Sequence, residues 1–391
     1  MSQEKKHDLD DLLESGEQTE GSFSITMKPV RRKQLRFDYW TGLFVLAGIM
    51  FEAITGPLLL YYYQAGNPYG STVSIVQTVP LGGIILAAHL YMAYAVILLL
   101  FVHMFRNYFV GAYRGAWRWA QWMIGLLLFL VVYSIAVIGY ILPEYYIGVD
   151  AVHITMTLIE RSVIGRVFPA LAAFLVSALV GNATTLQAWQ HFLAMHAILL
   201  TGLAFVLIVV HFFLFEKSGI HEEEKTVQNE KPVPVMPVSM LNSIFLASAF
   251  IAVVLIVSAL FPQGLLQGYG VPAYGLLPFP DWYLMPVYKM MDVAGLGLST
   301  GGVPFLGILV IIAFLVPFLD RYKGSLPLDR PLFTAMGIFV ILFLASMTLW
   351  GYAQPGLSQT RPLTLMMFGG MVFVSTVSVY AMKYARRDLH E

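Results

Sequence analysis

The 391-residue chain contains no cysteine. Disulfide bonds, thiolate metal ligands, cysteine nucleophiles and cysteine-linked cofactors are therefore excluded. Charge is also scarce, because Asp, Glu, Lys and Arg make up only 12% of the residues, about half the share in an ordinary soluble domain. The formal net charge is zero, so the composition indicates no strongly charged partner such as a nucleic acid.

Hydrophobic residues, in contrast, make up 58% of the chain. Several apolar runs exceed the roughly 20 residues that a helix needs to cross a bilayer. These runs predict an all-α polytopic membrane protein in which a four-helix bundle is followed by a further four helices. The eight predicted transmembrane helices, named A to H, cover residues 38–63, 82–108, 117–142, 187–215, 239–261, 303–320, 331–352 and 362–384.

The distribution of positive charge supports eight spans. All but four of the 23 Lys and Arg residues fall in the N-terminal tail, the B–C, D–E and F–G loops and the C-terminus, which lie on one side. The four on the other side are Arg161, Arg166, Lys289 and Arg361. The positive-inside rule makes the basic side cytoplasmic. We therefore predict a multi-pass protein of the cell (inner) membrane with both termini in the cytoplasm.

Composition also divides the chain into segments. Residues 1–35 are polar and charged and are predicted to be a disordered cytoplasmic tail. The first bundle covers 36–220 and the C-terminal part covers 238–391. Between them, residues 221–237 are charged and contain proline, which is typical of a linker.

Four of the nine histidines lie inside apolar helices: His89 and His103 on B, His196 and His211 on D. Ionisable residues at membrane depth are costly and need partners. The B pair is 14 residues apart, about 21 Å and roughly 40° short of four turns; the D pair is 15 apart, about 22 Å and roughly 60° past four turns. B and D run in the same direction, so the histidines meet in pairs at two depths. This pattern predicts two bis-histidine haem sites; the alternative is hydrogen bonding between helices.

Glycines repeat at the same interval on the neighbouring helices. Gly42 and Gly56 on A, and Gly125 and Gly139 on C, are each 14 residues apart. A glycine at each depth lets the edge of a planar cofactor approach the backbone. Glycine is also common where membrane helices pack, so the shared interval is the feature that favours cofactor binding.

Together these features resemble the cytochrome b family of cytochrome bc complexes, over residues 37–384. The segments that carry the resemblance are ITG (54–56), HLYMAYAVILLLFVHMFR (89–106), GYILP (139–143), HFLAMH (191–196), VVHFFLFEKSGI (209–220) and PDWY (280–283). The interval on helix D is similar to that of the chloroplast and cyanobacterial branch, in which the two halves are separate polypeptides. Here both halves are in one chain.

The resemblance implies two haems, b-type or a variant, with no cysteine-linked haem. His89 with His196 would ligate the outer haem and His103 with His211 the inner one, with the four glycines packing against them. Arg106 would either pair with an inner propionate or anchor the helix at the interface.

The resemblance also implies a function and partners. Quinol would be oxidised at an outer site, and one electron would pass to a Rieske iron–sulfur protein and on to cytochrome c, another acceptor or terminal oxidase subunits. The other electron would cross the membrane through the two haems, coupled to proton translocation. Lipid surrounds the chain, and a homodimer is possible.

The PDWY segment carries the expected outer quinol site. In the family its acid, usually Glu, accepts a proton from quinol, and this role carries over to Asp281. Burial beside a quinone would raise the pKa of this carboxyl toward the working pH, which suits a general base. Tyr283 belongs to the motif, and Tyr288, seven residues after Asp281, matches an aromatic position of the same pocket. These three are the expected catalytic residues.

The chain departs from the family at several positions. Leu86 stands where the family has Arg near the propionates, and Glu144 follows GYILP in place of Trp. Asp292 replaces an Arg, and Glu216 stands at the inner-site histidine of mitochondria, so the resemblance carries over least to the inner quinone site. Glu52 lies in the middle of helix A, where the family has Gln; it is either a proton relay or a protonated, hydrogen-bonded acid.

Two other functions are compatible with part of the sequence. A dihaem membrane anchor of a dehydrogenase or hydrogenase would need only four or five helices, and the C-terminal half with PDWY speaks against it. A proton-coupled transporter would use the histidines as relays, but it usually shows repeat symmetry, and we find no internal repeat.

Overall fold

The computed structural model describes residues 30–31, 40–181, 186–219, 221, 232–233, 239–268, 279–292, 302–322, 324, 326–355 and 360–388. Most of these residues are α-helical. The helices are α1 (Thr41–Leu60), α2 (Pro68–Gln77), α3 (Gly82–Phe109), α4 (Arg118–Ile141), α5 (Tyr146–Arg161), α6 (Val163–Val167), α7 (Pro169–Leu179), α8 (Leu186–Ala194), α9 (Leu200–Ser218), α10 (Met240–Leu260), α11 (Met285–Asp292), α12 (Gly302–Leu319), α13 (Pro331–Ala353) and α14 (Arg361–Asp388).

Seven helices are long and apolar enough to cross a membrane. They are α1, α3, α4, α10, α13, α14 and the continuous helix Leu186–Ser218, in which a π turn joins α8 to α9. These match predicted helices A to E, G and H. Predicted helix F is α12, whose apolar part Pro304–Leu319 is shorter and is about 24 Å long. The prediction of an all-α polytopic membrane fold is confirmed.

The N-terminal half is a bundle in which α1 packs along α3 and α4 packs along α9. α10, from the C-terminal half, lies against α1 and α3. Met92, Val96 and Leu100 of α3 are buried in the bundle core together with residues of α4 and α9. Because these three residues lie between His89 and His103 in the sequence, an apolar layer separates the two histidine levels.

The C-terminal half has its own core and a second contact with the bundle. α13 packs against α14 and α11, and Phe343 and Met347 of α13 are fully buried there. Tyr108, near the end of α3, and Trp122, near the start of α4, pack against Val316 of α12 and Phe333 of α13. The two halves are therefore joined by apolar packing as well as by the chain itself.

A buried ion pair reinforces this junction. The guanidinium Nη1 of Arg330 lies 2.8 Å from Oδ2 of Asp320, and the two side chains are 1% and 0% exposed. The Tyr113 hydroxyl donates to the same carboxylate oxygen at 2.6 Å. Arg330 also donates to the backbone carbonyls of Tyr108 and Phe109 at the end of α3. Charges buried this deeply need partners, and here each has several.

Segments that the charge pattern assigns to the basic side contact one another. Val30–Arg31 of the predicted tail pairs antiparallel with Pro232–Val233 of the predicted linker, as strands β1 and β2. Arg114 of the B–C loop donates to the carbonyls of Tyr322 and Gly324 in the F–G loop. The other residues of the tail (1–35) and, apart from residue 221, of the linker (221–237) lie outside the described residues.

Segments assigned to the opposite side also contact one another. The backbone N–H of Tyr146 donates to the carbonyl of Gln267 at 2.9 Å. The hydroxyl of Tyr69 donates to the carbonyl of Leu266 at 3.3 Å. The contacts at both ends therefore agree with the alternation of loops that eight spans require.

Candidate functional site

His89 and His196 face each other across the bundle. Their ring centroids are 6.3 Å apart and their planes are inclined at 67°. A metal ion about 2 Å from one nitrogen of each ring would put the two centroids roughly 6 Å apart. The observed separation therefore fits one metal ion ligated by both rings.

The Nδ1 atoms of this outer pair are held by the surrounding helices. Nδ1 of His89 lies 2.6 Å from Oε2 of Glu52 and 2.8 Å from the Thr55 hydroxyl. Nδ1 of His196 lies 2.8 Å from the backbone carbonyl of Ile135. Such partners fix the tautomer and orientation of a metal-binding imidazole, and they leave Nε2 of each ring as the ligating atom.

The inner pair repeats part of this arrangement, 14 residues away. Nδ1 of His103 lies 3.0 Å from the Thr41 hydroxyl, and Thr41 precedes Thr55 by 14 residues. Nδ1 of His211 is buried and has no hydrogen-bond partner among the described residues. Each level thus uses one hydroxyl from α1, and the outer level adds the backbone carbonyl of Ile135 from α4.

Each of the four predicted glycines contacts one histidine ring. A Cβ would lie 3.1 Å from Cε1 of His103 at Gly42, 3.7 Å from Cε1 of His89 at Gly56, 3.1 Å from Cε1 of His211 at Gly125 and 2.8 Å from Cε1 of His196 at Gly139. The glycines therefore share the 14-residue interval of the histidines because each glycine packs directly against a histidine ring. Room for a porphyrin edge remains a prediction.

A π turn at Met195–Leu199 resolves the unequal spacing of the histidines. One π turn adds a single residue to an α-helix. The 15 residues from His196 to His211 therefore rotate as 14 would, about 40° short of four turns, as between His89 and His103. The π turn thus accounts for the extra residue between His196 and His211.

Asp281 lies beside the bundle, between two tyrosines. Its Oδ1 accepts a hydrogen bond from the Tyr94 hydroxyl at 2.8 Å, while the nearby Tyr283 hydroxyl donates to the backbone carbonyl of Ala136 at 3.3 Å. Oδ2 is buried and has no hydrogen-bond partner among the described residues. Burial raises the pKa of Asp281, and the hydrogen bond from Tyr94 opposes that rise. Tyr94 is five residues after His89 on α3, so this site adjoins the outer histidine level.

The remaining predicted residues lie nearby. Tyr288 is on the following helix, α11, and is partly buried. Arg106 donates to the side chain of Asn107 at 3.1 Å, and the Asn107 amide lies 3.3 Å from Nε2 of His103. Whether Arg106 serves a propionate stays a prediction.

Sequence reasoning did not single out Thr41, Thr55 or Tyr94. The two threonines were detectable, because each stands directly before a glycine of the 14-residue repeat, as the dipeptides Thr41-Gly42 and Thr55-Gly56. Tyr94 had no such signal, since its partner Asp281 is 187 residues away.

The fold and the paired histidines are those of a membrane helix bundle that can hold cofactors between its helices. Two family models match the chain: "Cytochrome b(N-terminal)/b6/petB" over residues 94–268 and "Cytochrome b(C-terminal)/b6/petD" over residues 278–375. The matched residues include three of the four paired histidines and Asp281. The chain belongs to the cytochrome b family.

Relatives include both bacterial and archaeal proteins. The cytochrome b of Sulfolobus acidocaldarius is 28% identical in an alignment of 381 positions that covers 88% of this chain and 66% of that protein. The cytochrome bc complex cytochrome b subunit of Chlorobaculum thiosulfatiphilum is 27% identical, covering 84% of this chain and 76% of that one. The chain thus spans just under two thirds of the Sulfolobus relative.

A solved structure has the same fold. The chain aligns with one from "Hyperthermophilic respiratory Complex III" with a TM-score of 0.74 at 22% identity, covering 91% of this chain and 93% of that chain. The whole helical arrangement, and not only the bundle, is therefore that of a cytochrome b fold.

Proposed function

We propose that this chain is the dihaem cytochrome b subunit of a quinol-oxidising respiratory complex that couples electron transfer to proton translocation. The observation that carries the proposal is the facing of His89 with His196, together with the repetition of the α1 threonine and of the ring-packing glycines 14 residues away. Family membership implies b-type haem. Two bound haems would supply a one-electron path across the membrane.

The residues of this chain would hold the two haems in fixed positions. His89 with His196, and His103 with His211, would provide the axial nitrogens. The hydroxyls of α1 hold Nδ1 of His89 and His103, and the Ile135 carbonyl of α4 holds Nδ1 of His196. Little reorganisation of these three rings would therefore accompany binding. The apolar layer between the levels excludes water from the interior of the bundle.

Asp281 would act as the base that receives a proton from quinol on the outer side. Its Oδ2 is buried without a hydrogen-bond partner among the described residues, and burial raises its pKa. Both features suit a general base. Tyr283 and Tyr288 would line the same pocket.

The assembly follows from the same proposal. Residues 36–220 form the haem-binding half and 238–391 the quinol-site half, with both termini on the cytoplasmic side of the cell membrane. A Rieske iron–sulfur protein would accept one electron from quinol, because the chain has no cysteine to hold an iron–sulfur cluster. Cytochrome c, another acceptor or terminal oxidase subunits would follow.

Haem stoichiometry tests this proposal. Pyridine haemochrome analysis of the purified chain should give two non-covalent haems per polypeptide. One haem would contradict the two-level arrangement. None in folded protein would favour a histidine-based proton-coupled transporter instead.

The glycines offer a test with a matched control inside the chain. Gly139→Ala should weaken the outer haem by about 1–3 kcal/mol, because the new methyl would lie 2.8 Å from a His196 ring that Ile135 holds in place. Gly202→Ala, on α9, should leave both haems in place, because nothing lies within 4 Å of its new methyl. Haem retention on dilution measures both, and equal losses in the two variants would contradict the assigned packing.

A further inference from the structure

An acid contacts one of the four paired histidines. Oε2 of Glu52 lies 2.6 Å from Nδ1 of His89, and both side chains are 20% exposed. Among the described residues, the Thr41 hydroxyl is the partner of Nδ1 of His103 and the Ile135 carbonyl that of Nδ1 of His196, while Nδ1 of His211 has none. Asp38, 14 residues before Glu52 in the sequence, lies outside the described residues.

The direction of this hydrogen bond follows from the proposed ligation. With Nε2 of His89 bound to iron, Nδ1 carries the ring proton and must donate. The Thr55 hydroxyl donates to the backbone carbonyl of Phe51 at 3.1 Å, so its oxygen can only accept from His89. Glu52 accepts at the shorter distance, 2.6 Å against 2.8 Å. Its second oxygen, Oε1, has no hydrogen-bond partner within the described residues.

Such a partner changes the electronic character of the ligand. An acid that draws on the Nδ1 proton raises the basicity of the other ring nitrogen. A more basic axial nitrogen stabilises oxidised iron over reduced iron, which lowers the reduction potential of a haem.

We propose that Glu52 is a positioning residue that sets the reduction potential of the outer haem, holding it low through the hydrogen bond from His89. The inference rests on the proposed dihaem function. It assigns to Glu52 an electronic role in place of a proton relay. The side chain acts on the iron only through His89 and touches neither quinol nor its base.

Potentiometric titration of the haem absorption bands tests the proposal in membranes that contain the whole complex. The outer haem is identified as the signal lost in His89→Leu. In Glu52→Gln, the ratio of reduced to oxidised outer haem at a fixed ambient potential should rise about tenfold, a one-electron shift of about 59 mV. The inner haem should be unchanged.

Two further variants make the result interpretable. Glu144→Gln removes an acid outside the spanning helices that binds the backbone N–H of Tyr69, and its outer midpoint should stay close to wild type. Glu52→Asp keeps the acid but shortens its reach, so its midpoint should lie between wild type and Glu52→Gln. If Glu52→Gln does not retain the outer haem, Glu52→Asp decides the matter, and a wild-type midpoint there would overturn the proposal.

The failures of the two proposals are distinguishable. Two haems in wild type with the same outer midpoint in Glu52→Gln and Glu144→Gln would overturn the role of Glu52 alone. Absence of haem from the wild-type chain would overturn the proposed function and this inference with it.

Discussion

Replacing Asp281 by asparagine is expected to slow quinol oxidation by at least about 10²-fold, the lower end of the contribution of a general base. Asparagine keeps the shape and can still accept the Tyr94 hydrogen bond, but it cannot take up a proton. The haem spectra should be unchanged, because the substitution leaves all four histidines and their Nδ1 partners intact. The measurement is the steady-state rate of quinol oxidation by the purified complex at saturating acceptor.

A matched control separates loss of the base from loss of charge. Asp150 is an acid of α5 with its own hydrogen-bond donor in Tyr146, and Asp150→Asn should leave the rate within a few-fold of wild type. A near wild-type rate in Asp281→Asn would contradict the role of Asp281 while leaving the dihaem proposal standing.

The pH dependence of the same reaction tests whether the surroundings of Asp281 raise its pKa. A base must be deprotonated to act, so the rate falls as pH falls through the raised pKa of Asp281. Tyr94→Phe removes a hydrogen bond that lowers this pKa. The acid limb of the kcat/KM profile should therefore move to higher pH, and a limb that stays in place would show that another group limits the rate.

Replacing Arg330 by leucine is expected to destabilise the protein by about 3–5 kcal/mol. The substitution leaves the Asp320 carboxylate, with a fully buried side chain, without its counter-ion. It also removes the donors to the carbonyls at the end of α3. Because these bonds join the two halves, we expect an early loss of tertiary structure on heating. Thermal unfolding of the detergent-purified chain, followed by circular dichroism, measures the effect.

An exposed ion pair provides the comparison. Arg386 lies 3.4 Å from Asp329, and the two side chains are 39% and 37% exposed. Exposed pairs contribute less than about 1 kcal/mol, so Arg386→Leu should change stability little. Combining Arg330→Met with Asp320→Leu should recover part of the loss, because no buried charge is left unpaired. Equal destabilisation by Arg330→Leu and Arg386→Leu would contradict the claim that losing a partner costs more in a buried ion pair than in an exposed one.

The architecture was predictable because its signals are repeated and local. Long apolar runs locate the spans, and the asymmetry of Lys and Arg supports their number. The histidine and glycine intervals bring the right residues to the right depths, because a fixed number of residues along a helix gives a fixed rise and rotation.

Other features could not be read from the sequence. The π turn at Met195–Leu199 depends on a shift of backbone hydrogen bonds, which leaves no mark in composition. The bond from Tyr94 to Asp281 joins helix α3 to a distant loop, so only the folded chain reveals it. Glu52 was recognised as unusual, but its contact with His89 depends on how α1 and α3 pack.

The most direct test of the central claim is a dithionite-reduced minus oxidised spectrum of membranes containing the wild-type chain, His89→Leu or His211→Leu. The account predicts two haem signals in wild type, with the outer signal lost in His89→Leu and the inner signal lost in His211→Leu. Loss of the same signal in both variants, or of neither, would contradict ligation at two separate levels.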